Sequence, residues 1–364
     1  MDKIKIVNVF MVDNPVGRLA LTQDNLCAFE YDADYLQHGT SISPYFLPLQ
    51  PGLFVAKHNP FKGGFGVFDD SLPDGWGNLL LDRYLQQKDI DSSKLTVLQR
   101  LALVGATGRG ALEYKPNISY NTQEEYIDFD KLASEADKVL TTKQYNGSLD
   151  VLYKYGGSSG GARPKVFVQL ENKEWLVKFK AFNDPEDVGK MEYEYSLLAK
   201  DCGINMPETR LFENKYFGVQ RFDRTETGKI HTVSAAGLLN ADYRIPSLDY
   251  SVLLKICFNL TKDIEQVYDL FRLMVFNIVI SNRDDHAKNF SFQLINGEWK
   301  LSPGYDLLPS TGFNGFHTTT VNGQGEPSVN DMMNVALDAG LSQQKSKEII
   351  DEITEKCNYN NKKK

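Results

Sequence analysis

Cysteine is scarce in this 364-residue chain: Cys27, Cys202, Cys257 and Cys357 lie far apart and form no CxxC pair. With no His pattern nearby, this argues against structural zinc and against a secreted disulfide scaffold, and the four read as reduced thiols. Long apolar runs are also missing. None reaches the roughly 18 residues that a spanning helix needs. The N-terminal MDKIKIVNVFMVDNPVGRLAL breaks at Asp13-Asn14-Pro15, leaving no uninterrupted apolar region for a signal peptide. A cytoplasmic protein with no membrane contact is expected. Nor is there an excess of positive charge. Lys and Arg number 40 against 48 Asp and Glu, a net charge of −8. The overall field therefore disfavours nonspecific attachment to nucleic acid or an anionic membrane, and any phosphate site must be built locally. Low complexity is confined to the tail NYNNKKK.

The chain has ample material for a core: 41% of residues are hydrophobic, with 21 Phe and 18 Tyr, the composition of a folded globular protein. Single cores stop growing at roughly 250 to 300 residues, so the length predicts two or three domains. Residues 4–31 alternate short apolar runs with the turn residues Asp13-Asn14-Pro15 and Gln23-Asp24-Asn25, which predicts a β-meander. LPDGWGNLLLDRYLQQ then offers Asp74 as a helix cap, and SSKLTVLQRLALVG a second helix ended by Gly105. Residues 1–120 read as one α+β domain. Residues 121–149 read as a linker, the acidic ISYNTQEEYIDFD, and a short helix from Asp130 to Leu140.

A second part begins near residue 150. KVFVQL and EWLVKFKA are strand-like around the turn Glu171-Asn172-Lys173, followed by the helix KMEYEYSLLAKDCG stopped at Gly203, and then by ETRLFE and YFGVQRFD. From residue 246 onward the pattern is helical. In IEQVYDLFRLMVFNIVISN, Val267, Leu270, Phe271, Met274, Val275, Ile278 and Val279 keep the spacing of a buried helix face. The expected fold is α+β, with a two-lobed core of strands over 150–245 and helices over 246–364, where ligands commonly sit in a cleft.

That long helix leads into NRDDHAKN, residues 282–289. By composition alone this is a solvated charged turn. The neighbouring segments change the reading: FSFQLINGEWKLS is a hairpin turning at Asn296-Gly297, and it ends in PGYDLLPS, which presents a further acid, Asp306. Asp284, Asn289 and Asp306 repeat the parts of a protein-kinase site. In that template, H-R-D-x-x-x-x-N supplies a base and a magnesium ligand, and a later Asp completes the metal site. Here Asn282 stands in place of the His and Tyr305-Asp306-Leu307 in place of D-F-G. Magnesium prefers hard oxygen ligands and keeps several waters, so one amide and one carboxylate beside a triphosphate suffice. The base must lie within hydrogen-bond reach of the attacking hydroxyl. Asp285 competes for that role, and spacing favours Asp284.

A kinase also needs a cation on the phosphates. Lys178 in WLVKFKA sits within a strand pattern between Val177 and Phe179; taken alone it is an edge-strand guard, and its place upstream of the acidic loop makes it the candidate. YGGSSGGARPK, Tyr155 to Lys165, matches neither GxxxxGK[ST] nor GxGxxG. Taken alone it is a linker, yet its glycines and basic residues are suited to wrapping phosphate oxygens. Ser158 and Ser159 are read as exposed hydroxyls within it. His286 beside two acids is as readily structural as catalytic, and KHNPFKGGFG reads as a surface loop.

Together these segments resemble the HipA family, the kinase toxins of bacterial toxin-antitoxin modules. VFMVDNPVGRLAL, FEYDADYL and SLPDGWGNLLLDRYL resemble the family's N-terminal domain. SSGGARPK, WLVKFKA, VQRFDR, DDHAKNFSF and GYDLLPS resemble its kinase domain, in order. The resemblance implies an ATP- and magnesium-dependent serine/threonine protein kinase, in which Asp284 is catalytic and Asn289 and Asp306 hold the metal. It implies further that Lys178, Gln220, Phe222 and the loop Ser158, Ser159, Gly160 and Gly161 bind ATP. Ser158, with Ser159 as alternative, would be autophosphorylated, ejecting the loop and switching the kinase off. Gln220 stands where the family often carries Glu. Expected partners are a protein substrate, such as an aminoacyl-tRNA synthetase, and a helix-turn-helix antitoxin like HipB through which DNA is reached indirectly. The rivals are a lipid or small-molecule kinase with the same ATP site and a catalytically weak binding protein.

Overall fold

The computed structural model describes residues 3–119, 127–142, 149–312 and 314–361; most of the linker read from ISYNTQEEYIDFD and the end of the NYNNKKK tail lie outside them. The chain is α+β, β-rich towards its N-terminus and mostly helical towards its C-terminus. It divides into two compact units, residues 1–190 with 210–233, and residues 191–209 with 234–364. Among the described residues no helix is long and apolar enough to cross a membrane.

The first unit opens with the expected meander: β1 (Ile6–Met11), β2 (Asn14–Leu21) and β3 (Cys27–Tyr31), joined by β4 (Leu53–Val55). Val7 and Val9 are fully buried, two residues apart as the strand period requires, and on β2 the buried Val16 and Leu19 stand three apart because the pairing with β1 shifts register between Val9 and Phe10. Its first turn falls one residue earlier than the sequence suggests. Val12 and Asp13 take the left-handed conformation and Met11 pairs with Asn14, so Asn14 and Pro15 already belong to β2.

Next come α1 (Gly75–Gln86) and α2 (Val97–Val104), the latter held by a reciprocal cap between Thr96 and Gln99 and ended at Gly105, φ +56°. β5 (Leu112–Lys115) returns beside β1, completing the order β4-β3-β2-β1-β5. Two helices come after it, α3 (Phe129–Thr141) and α4 (Asp150–Gly156).

A second sheet contains β6 (Lys165–Leu170), β7 (Lys173–Lys178), β8 (Thr209–Phe212) and β9 (Tyr216–Gln220) in the order β6-β7-β9-β8. Glu171 and Asn172, both at positive φ, make the tight turn between β6 and β7. β7 is thus an interior strand, which removes the edge-guard explanation for Lys178. One core joins Trp76, Leu80 and Tyr84 of α1 to Phe129 and Leu132 of α3 and to Val166, Trp175 and Val177 of the sheet. Truncating either tryptophan would cost roughly 3–5 kcal/mol.

In the second unit, α5 (Val188–Asp201) contributes its C-terminal part, and α6 (Tyr250–Thr261), α7 (Ile264–Val279) and α9 (Gln343–Asn361) pack together, with α8 (Val329–Asp338) against α9. In α7 the predicted positions Val267, Leu270, Phe271, Met274 and Val275 are fully buried, while Ile278 and Val279 are only half-buried because the helix ends there. Beyond it, β10 (Ser291–Ile295) and β11 (Glu298–Leu301) form the expected hairpin, with Asn296 and Gly297 at positive φ.

Candidate active site

The candidates in the second unit begin at the end of α7. Asn277 is 2% exposed within the otherwise apolar run MVFNIV, and a buried amide must find partners. Its Nδ2 donates to the Tyr250 hydroxyl at 3.1 Å, and its Oδ1 accepts from Asn282 Nδ2 at 3.0 Å. Ser281 turns the chain at φ +59°, and the buried Asn282 then also donates to the Asp306 carbonyl at 3.0 Å. One amide thus ties the NRDDHAKN segment to the helix before it and to the PGYDLLPS loop.

The two adjacent acids divide cleanly. Asp285 is fully buried. One of its oxygens accepts from Tyr250 Oη and the His317 ring, each at 3.0 Å, and the other from the Thr318 and Thr319 amides at 2.9 and 3.2 Å. These four bonds use the acceptor capacity of a carboxylate, so Asp285 serves as an anchor. Burial, reinforced by the neighbouring Asp285 charge, pushes the Tyr250 hydroxyl pKa well up, which keeps it a donor. Asp284 is exposed, and its amide donates to Ser310 Oγ at 2.8 Å. Asn289 Nδ2 donates to the Asp284 carbonyl at 2.7 Å, which directs the amide oxygen elsewhere. Asp306 is exposed and sits at φ +55°, a conformation unusual for a residue with a side chain and common at functional sites. His286 Nδ1 accepts from the Lys288 amide at 3.2 Å, a local structural bond.

The first unit holds the other candidates. Lys178 closes β7, 8% exposed, with Nζ 5.5 Å from the Phe217 ring centroid. Directly opposite on β6 is Lys165, 5% exposed. Opposed residues on antiparallel strands share a face, so two buried lysines stand side by side. Gln220 ends β9, opposite Trp175, and Phe222 lies two residues on, both half-buried.

The loop serines differ from the sequence expectation. Ser159 is fully buried, its hydroxyl donating to the Gly156 carbonyl at 2.6 Å, and Ser158 is half-buried, donating to the Thr107 carbonyl at 3.1 Å. Neither is the freely exposed hydroxyl that the glycine-rich composition suggested. Asp74 also departs from expectation: it occupies the cap position of α1, yet its side chain makes no cap bond and accepts instead from the Gly161 amide.

Sequence reasoning missed the cluster just beyond Gln220. Arg221, Asp223 and Arg224 form a buried ionic knot, with Arg221 and Arg224 each bonded to Asp223. Asp223 also accepts from the Gly110 amide at 2.8 Å, and Arg224 donates to the Gly108 and Gly110 carbonyls. Burial pushes the Asp223 pKa up, but the two guanidiniums more than offset this and hold it well below the usual carboxylate range. The motif QRFDR was visible; its partners, more than 100 residues upstream, were not.

Residues 7–115 match the HipA N-terminal domain and residues 157–360 the HipA-like C-terminal domain. The chain belongs to the HipA family. Y4dM of Sinorhizobium fredii, named as a kinase, is 22% identical over 334 residues, spanning 85% of this chain and 78% of that protein. Toxin YjjJ of Escherichia coli is 25% identical over 169 residues, covering 42% of this chain and 38% of YjjJ. Among solved structures, HipA of Shewanella oneidensis, determined with HipB and operator DNA, superposes with a TM-score of 0.72 at 18% identity. The match covers 96% of this chain and 88% of that one, so the two share a fold.

Proposed function

We propose that this protein is a HipA-type serine/threonine protein kinase, dependent on ATP and magnesium, that acts as the toxin of a toxin-antitoxin pair and silences itself by phosphorylating Ser158. The observation that carries this is the division of labour in residues 284–289. Asp285 is buried and consumed as an anchor, while its neighbour Asp284 is exposed at the head of the segment.

Asp284 takes the proton from the acceptor hydroxyl. As that oxygen forms its bond to the γ-phosphorus, the bond from phosphorus to the bridging oxygen breaks and ADP leaves with the electron pair. Lys178, with Lys165 beside it, neutralises phosphate charge. Gln220 and Phe222 flank the adenine, and the Ser158–Gly161 loop lies along the phosphates. Asn289 and Asp306 fit a magnesium ion: the bond from Nδ2 to the Asp284 carbonyl leaves the Asn289 oxygen for a hard cation, and Asp306 offers an exposed carboxylate. Such a cation takes its other ligands from phosphate and water. When bound, magnesium supplies charge neutralisation at the transferring group.

A helix-turn-helix antitoxin is the expected partner. The relative from Shewanella was solved with HipB and operator DNA, and a net charge of −8 suits a chain that reaches DNA through a basic partner. The test is transfer from labelled ATP with magnesium to protein, to lipid and to no added acceptor. Label on protein acceptors and on the chain itself supports the proposal; label on lipid alone, or ATP binding without transfer, overturns it.

A further inference from the structure

We infer that Asp74 is a positioning residue for the 158–161 loop, and that with Gly75 and Gly77 at the start of α1 it forms a latch whose release exposes Ser158 as an acceptor. This rests on the kinase proposal only for the fate of Ser158; the latch itself stands on contacts within the first unit.

Four observations converge. First, the Asp74 carboxylate accepts from the Gly161 amide rather than capping its own helix. A bond to a charged acceptor is stronger than one between neutral groups. Second, the Trp76 amide, one of the donors a helix start leaves unpartnered, donates to the Gly161 carbonyl at 2.9 Å. Gly161 is thereby gripped through both sides of its peptide backbone. Third, the helix start is shaped to admit the loop: a Cβ at Gly75 would lie 2.4 Å from the Gly161 carbonyl oxygen, and one at Gly77 would lie 2.2 Å from the Ser159 carbonyl oxygen. Only glycine permits that approach. Fourth, the Trp76 indole donates to the Lys165 carbonyl at 3.1 Å, fixing the loop's far end.

The latch determines what the two serines can do. While it is closed, Ser159 is buried and Ser158 is tied to the Thr107 carbonyl. Gly160 and Gly161 at the tip are exposed, so loss of the Asp74 bond frees the loop without dismantling the core.

The test is hydrogen exchange over residues 157–165 of the full chain without nucleotide, then the rate at which phosphate appears on Ser158 once magnesium and ATP are added. Asp74→Ala should speed exchange in this segment roughly tenfold or more, and Gly77→Ala should do the same by steric displacement. Asp128→Ala removes a helix cap whose side chain accepts from the Lys131 amide; it should leave the segment unchanged, which separates a latch from general loss of stability. Ser158 should acquire phosphate faster in Asp74→Ala than in the unmodified sequence. Exchange in Asp74→Ala equal to that in Asp128→Ala overturns the latch. Faster exchange with no phosphate on Ser158 in any variant keeps the latch and overturns the kinase proposal instead.

Discussion

The two segments that carry the candidate chemistry are held in opposite ways. Residues 282–289 are pinned through their own buried side chains: Asn282 bonds to Asn277 at the end of α7, and Asp285 to Tyr250, His317 and the Thr318 and Thr319 amides, more than 30 positions away. Residues 158–161 are held by backbone groups, two serine hydroxyls and one carboxylate, with exposed glycines at the tip. A group that must meet a transition state gains from a fixed frame. A loop that must admit nucleotide and later be modified gains from a hold that one event can release.

The contrast can be broken experimentally. The largest expected effect is on activity: Asp284→Asn should lower phosphoryl transfer by about 10²–10⁴-fold, as loss of a general base does, with circular dichroism and melting temperature unchanged because the side chain is exposed. Its neighbour should behave in the reverse sense. Asp285→Ala strands the Tyr250, His317, Thr318 and Thr319 donors in a buried site and should cost about 3–5 kcal/mol, seen as a large fall in melting temperature. Comparable stabilities for the two variants would erase the distinction between anchor and base.

A smaller effect concerns the first unit, whose strength lies in its core rather than in its loop. Burial depresses the His231 pKa from 6.5 to about 4, although a bond to the Ile42 carbonyl at 2.9 Å opposes this. The unfolded chain therefore binds this proton more readily than the folded one. Stability from this group is complete above about pH 6.5 and is lost as pH falls towards 4, by roughly 3 kcal/mol at most. Denaturant titrations at pH 7 and 5 should reveal the loss, and His231→Gln should flatten the slope; an unchanged slope in that variant would assign the acid sensitivity elsewhere. The smallest effect is expected from Asn282→Ala, which frees the Asp306 carbonyl and Asn277 Oδ1 and should cost about 1–3 kcal/mol while raising the magnesium concentration needed for half-maximal transfer. A magnesium dependence identical to that of the unmodified chain would show that Asn282 does not position Asp306.

Local signals made much of the fold legible. The apolar spacing of residues 264–279 gave α7, and Asn296-Gly297 gave its hairpin, because period and turn chemistry are written within a few residues. Long-range pairings were not. In the string NRDDHAKN only spacing favours Asp284 over Asp285; their environments differ through burial against residues more than 30 positions away. Asp74 looked like a cap because its position is a cap position, and its true partner lies 87 residues on. Ser159 looked exposed because glycine-rich loops usually are, yet glycines on α1 let its backbone pack against that helix. The buried Asn277 offered one usable clue, an amide inside the apolar run MVFNIV.

The central claim is that residues 282–289 and 158–161 belong to one self-modifying kinase, and a phosphopeptide map after incubation with magnesium and ATP tests it most directly. The prediction is phosphate on Ser158 in the unmodified chain, none on Ser159, and none anywhere in Asp284→Asn. Phosphate that persists in Asp284→Asn, or an unmodified chain that binds ATP and carries no phosphate at all, would contradict it.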